Sequence, residues 1–114
     1  MSMPLKAYAA AHLRQVDFGA GIIEYLKRID ATLVPFGGRY VVHGGRPTVL
    51  EGDWVGDLVI IGFPDRESAE AWYHSPAYRE IIALRTDNSV GDVILLDGVE
   101  EAHRATDLLA ELGV

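Results

Sequence analysis

The chain has 114 residues, 49% of them hydrophobic and 24% charged, and carries 17 Asp and Glu against 10 Lys and Arg, a net charge of -7. This is the size and composition of one folded domain around one core, not of a disordered segment. The acidic balance, with no basic cluster and no Lys/Arg stripe interleaved with aromatics, argues against nucleic acid as a partner and disfavours a membrane surface.

Apolar runs such as Leu58 to Ile61 are of strand length, far short of the roughly 20 residues of a membrane helix. The first residues, MSMPLKAYAAAHLR, are interrupted by Tyr8 and His12 and contain no leader-like core. With no cysteine to report on redox compartment, the expectation is a cytoplasmic protein.

Leu5 to Leu13 alternates, with Leu5, Ala7, Ala9, Ala11 and Leu13 on one face and Lys6, Tyr8, Ala10 and His12 on the other. This predicts a strand, whose small residues let a helix approach closely on one side. A first helix is expected with Asp17 as its N-cap and with Phe18, Ile22, Tyr25, Leu26, Ile29 and Leu33 at helical intervals. Pro35 disfavours helical geometry at Val34 and sets the end near Leu33.

Next, GGRYVVHGG brackets a short strand between glycine pairs, and TVLEGDW follows as a second extended piece, so a hairpin arm is expected. DLVIIGF, Asp57 to Phe63, is apolar on both faces, as a covered central strand is. Asp65 then caps a helix with Ala69, Trp72 and Tyr73 on one face. Pro76 cannot continue that helix, and Ser75 as N-cap with Pro76 at the first helical position starts another, with a stripe of Tyr78, Ile81, Ile82 and Arg85. DVILLDG supplies the last strand, and residues 100–114 form an amphipathic tail helix carrying Leu108, Leu109 and Leu112.

The order βαββαβ predicts an α+β ferredoxin-like domain over residues 1–99, a four-stranded antiparallel sheet with both helical segments on one face. The other face holds Tyr8, His12 and half of the apolar central strand, too much apolar area for a lone subunit to leave wet. A two-fold-related copy is the expected cover, giving a homodimer with a cavity between facing sheets.

GGRYVVHGG, VLEGDW, IGFPDRESAEAWYHSPAYREIIALR and GDVILLDG, in this order and spacing, resemble the domain-of-unknown-function family numbered 1330, within the dimeric α/β-barrel superfamily. The resemblance spans Leu5 to Val99 and implies a ferredoxin-like subunit, a homodimer and no agreed activity. The wider superfamily includes cofactor-free oxygenases, small-ring isomerases and haem enzymes, and kinship of fold does not transfer chemistry. Gly19-Ala20-Gly21 at the first helix start and the tail beyond Val99 depart from the family pattern, which bears on the helix start and the dimer surface.

Tyr8, His12, Arg39 and His43 form the candidate ligand site. Facing the intersheet cavity, they would place two imidazoles and a guanidinium among apolar walls, where an imidazole can exchange a proton with an anionic or enol-like ligand and Arg39 can stabilise charge on oxygen. The alternative is that both imidazoles lie half exposed at strand ends and Arg39 pairs with a surface carboxylate. Trp54, on a loop after Gly52, is a ligand-facing or dimer-facing aromatic, whereas Trp72 at helical spacing reads as core.

GAGIIE (Gly19 to Glu24) fails as a dinucleotide fingerprint because Glu24 occupies the third glycine position, and HGGRP lacks the ending of a phosphate loop. Four His without short ligand spacings support no metal, and no cofactor is expected. Two functions stay open: a small organic ligand bound between subunit sheets, with cofactor-independent acid/base, monooxygenase-like or isomerase-like chemistry; or a non-catalytic structural or stress-related dimerisation module.

Overall fold

The computed structural model describes residues 4–114; residues 1–3, which open the expected domain, lie outside the described residues. Strand β1 (Ala7–Val16) leads to helix α1 (Ala20–Leu33) and a 3-10 turn (Val34–Phe36), then to β2 (Arg39–His43) and β3 (Asp57–Phe63). Helices α2 (Arg66–Tyr73) and α3 (Pro76–Thr86) precede β4 (Ser89–Asp97) and the short tail helix α4 (Asp107–Glu111). The sheet order is β2-β3-β1-β4 with every pair antiparallel, the ferredoxin-like arrangement expected from the sequence.

The alanine stripe on β1 does what its size allows. Ala7 and Ala9 are buried on the helix-covered face, where they leave room for Tyr25 and Ile29 of α1 and Trp72 of α2 to reach Ile61 and Phe63 of β3. Ala10 and His12 pair across the sheet with Ile60 and Leu58 on the opposite, open face.

The first helix starts later than its sequence implies. The Asp17 amide donates to the Asn88 carbonyl at 2.8 Å, which prolongs the β1 edge, and Gly19, in extended geometry, is the N-cap. Phe18 is accordingly exposed and stands outside the buried stripe. Gly21 is where α1 passes close to Asn88 and the Leu84 carbonyl, a space that a β-carbon would fill.

The break between α2 and α3 follows the sequence. Ser75 Oγ accepts from the Tyr78 amide at 3.3 Å and donates to the Trp72 carbonyl at 2.8 Å, joining the end of one helix to the start of the next. Asp65 caps α2 by accepting from the Ser68 amide at 2.7 Å.

The hairpin arm is a correction. TVLEGDW forms no strand: residues 44–56 run as an irregular arm with Gly44, Gly45, Gly52 and Gly56 at positive φ, and β2 pairs directly with β3. Four backbone positions that only glycine adopts readily leave no continuous ladder to build. The tail forms a helix of only five residues, and its Leu108, Leu109 and Leu112 are exposed.

Candidate functional site

Two faces of one sheet divide the residues that the sequence grouped together. Tyr8 and Arg39 both pair with Gly62, so they stand at one level of the open face. His12 lies four residues further along β1, about 13 Å away at strand spacing, opposite Leu58. Its ring stacks on Trp54 at 4.3 Å, and Nε2 lies 2.7 Å from the Val55 carbonyl. A carbonyl only accepts, so Nε2 carries the proton and pins the arm to the sheet. Trp54 Nε1 donates in turn to the Gly56 carbonyl at 3.1 Å.

His43 goes to the other side. A bulge between Tyr40 and Val42 inserts one residue into β2, so that Tyr40 pairs with Ile61 and His43 with Val59, both on the helix-covered face. An extra residue in a two-residue period inverts every side chain beyond it. The Tyr40 and His43 rings therefore stack at 4.3 Å and both line a cavity of about 300 Å³ between the sheet and the helices. The four residues are thus not gathered into one site within a subunit: Tyr8, Arg39 and His12 share the open face, while His43 opens onto the internal cavity.

The cavity contains groups that the sequence reading assigned only to a helical stripe. Its wall is mostly apolar, with Ala9, Ala11 and Val93 from the sheet and Ile22, Leu26 and Ile29 from α1. Tyr25 of α1 and Tyr78 of α3 join hydroxyl to hydroxyl at 2.7 Å, both buried. Arg85, one turn of α3 beyond Ile81 and Ile82, is 8% exposed, lies beside these two hydroxyls and enters none of the ion pairs of the described residues. Trp72 completes this buried floor, its Nε1 donating to Thr32 Oγ1 at 3.0 Å. The rim is exposed and formed by Phe18, His43 and Gly45.

Burial, reinforced by the adjoining Tyr78, pushes the Tyr25 hydroxyl far above the usual tyrosine range, and Arg85 offsets only part of this. Tyr40 is pushed up to about 12, by burial first and then by Asp30 and Tyr78. Burial disfavours charge on Arg85, but the Tyr78 and Tyr25 oxygens beside it outweigh that and the net shift is upward. The floor therefore presents the protonated Tyr25 hydroxyl beside a fixed cation. The signal for it was present in the sequence as one charged residue at a core-facing position of an otherwise apolar and aromatic stripe.

The arm overhangs the open face and shapes a second cleft of about 530 Å³, with Val42, Leu58 and Trp54 in its wall. Among the described residues no group of three or more His, Cys, Asp or Glu side chains is placed to hold a metal ion, and no helix is long and apolar enough to cross a membrane.

Solved structures share this fold at low identity. The RPA0582 protein of unknown function from Rhodopseudomonas palustris matches with a TM-score of 0.63 at 17% identity, over 84% of this chain and 84% of its own. A dimeric ferredoxin-like protein of unknown function from Jannaschia sp. CCS1 matches at 0.60 and 16% identity, over 82% of this chain and 97% of its own. SnoaB, described as a cofactor-independent oxygenase from Streptomyces nogalater, matches at 0.55 and 15% identity, over 89% of this chain and all of its own. No curated protein matches the sequence. The sequence model of DUF1330, a domain of unknown function, matches residues 6–99, and the chain belongs to that family.

Proposed function

We propose that the chain acts as a homodimer in which each subunit binds a small organic molecule in the cavity between its own sheet and helices, and exchanges a proton with it without a cofactor. The observation that carries this reading is the cavity itself. It joins about 300 Å³ of mostly apolar wall to a floor of buried polar groups and opens at an exposed rim, which is the make-up of a small-molecule site. A domain that only dimerises through its other face has no need of such a pocket.

His43 is the group suited to the proton transfer. It stands at the rim, its ring stacked on Tyr40 and reachable from solvent, where an imidazole can pass a proton between a ligand and water. The description of SnoaB as a cofactor-independent oxygenase is compatible with this chemistry, on a shared fold only.

A thermal-shift screen of small aromatic acids, lactones and haem tests the reading, since a ligand at a hundred times its dissociation constant stabilises the folded state by about 2.7 kcal/mol. Ala11→Phe, which fills the cavity from β1, and His43→Ala are expected to diminish the shift, while Tyr8→Phe and Arg39→Ala leave it unchanged. The reverse pattern would place the ligand between the subunit sheets, where the sequence first put it. Absence of any shift across the screen would favour the non-catalytic dimerisation module.

A further inference from the structure

We propose that the cavity selects an organic anion, holding a carboxylate or enolate oxygen of the ligand against Arg85 and the Tyr25–Tyr78 hydroxyl pair while the apolar body of the ligand fills the space toward the rim. This rests on reading the cavity as a ligand site and adds the charge and orientation of what enters it.

The first support is a buried charge without a counter-charge. Arg85 is 8% exposed and lines the cavity, yet it joins none of the ion pairs among the described residues. A buried cation is normally paired, because its desolvation is otherwise uncompensated. Asp57 is the single carboxylate in the cavity wall, and it too enters none of those ion pairs. Arg85 therefore keeps an unneutralised positive charge facing the cavity.

The second support is a count of donors. The Tyr25 and Tyr78 hydroxyls bond to each other at 2.7 Å, which uses one of their two protons. The other O–H is free to donate into the cavity. A guanidinium has more N–H donors than two hydroxyl oxygens can accept, one lone pair being already used. The floor thus offers a surplus of donors and a full positive charge, the requirement of an anionic oxygen and not of a neutral ester or an amine.

The third support is the remainder of the wall. Ala11, Ile22, Ile29 and Val93 give an apolar body nothing to hydrogen-bond and much to contact. At about 30 Å³ per water-sized group, a cavity of about 300 Å³ accommodates a molecule of about ten non-hydrogen atoms, the scale of one ring bearing a short acid chain. Asp57 in the same wall disfavours a second negative charge, so the ligand is a monoanion.

The test is isothermal titration of the full chain with trans-cinnamate, phenylacetate and benzoate, each beside its methyl ester and primary amide at equal concentration. At least one acid is expected to bind no less than tenfold more tightly than its neutral counterparts. Arg85→Gln is expected to remove that preference and Arg85→Lys to restore part of it, while Arg39→Gln on the open face leaves it intact. Because loss of a buried arginine can unfold the chain, the comparison of acid with ester on the unaltered protein decides by itself. Esters and acids binding equally, with both abolished by Ala11→Phe, would overturn the anion assignment and leave the cavity reading standing. Binding that Ala11→Phe does not touch, or no binding by any probe, would overturn both.

Discussion

Tyr40 and Tyr25 face one cavity from different elements, β2 and α1, and both resist ionisation. A tyrosine whose folded-state pKa lies above the ordinary value near 10 retains its proton in the native state after the unfolded chain has lost its own. Between about pH 10 and 12 the folded state therefore binds more protons than the unfolded one, and stability falls as pH rises through that window. Urea unfolding midpoints should be level with respect to these groups below pH 10 and decline steadily to pH 12. Tyr40→Phe should make the decline shallower, and an identical slope in the variant would mean that Tyr40 is not held protonated by its surroundings. At this scale the candidate site was only partly readable from the sequence. The sequence marks His43 by its chemistry but groups it with Tyr8, His12 and Arg39 between subunit sheets, and Tyr25, Tyr78 and Arg85 read as members of helical stripes, because a sequence gives the spacing of side chains along one helix and not the hydroxyl of another helix opposite them.

The elements whose boundaries depend on local chemistry were legible, and those that depend on a distant partner were not. The junction of α2 and α3 is written in Ser75-Pro76, a cap followed by a residue suited to the first helical position. Ser75→Ala removes both the bond accepted from the Tyr78 amide and the bond donated to the Trp72 carbonyl. A loss of about 1 to 2 kcal/mol is expected, seen by calorimetry as a fall in Tm of roughly 4 to 10 °C for a domain of this size. An unchanged Tm would show that Pro76 alone sets the break. By contrast, the start of α1 moved to Gly19 because the Asn88 carbonyl captures the Asp17 amide, a contact 71 residues away in sequence. The bulge at Val41 and Val42 lacks a glycine or proline signature, yet it decides that His43 joins the cavity instead of sharing the open face with Arg39. The arm reads as extended in TVLEGDW, but Gly44 and Gly45 at positive φ turn the chain away directly after β2, so the outer edge of β2 gains no hairpin partner and β2 pairs with β3 alone.

At the scale of the whole molecule, the open face is the surface that bears on association. Val41, Ile94 and Leu96 are each about half exposed, and Ile60 and Leu58 of β3 lie on the same side. A largely apolar sheet face is the feature that soluble monomers avoid. Each subunit has a net charge of -7, so two like-charged surfaces must approach for the apolar faces to meet, and salt should screen that repulsion. Sedimentation at micromolar concentration is therefore expected to give twice the 12.5 kDa of the chain, with association tightening as salt is raised. Ile94→Lys puts a strongly hydrated ammonium on the open face midway along the edge strand β4, opposite Ala10 and next but one to Ile60. It should shift the population to single subunits and lower the thermal midpoint. A wild-type chain that sediments as one subunit at high salt would mean that the open face is covered by something other than a second copy.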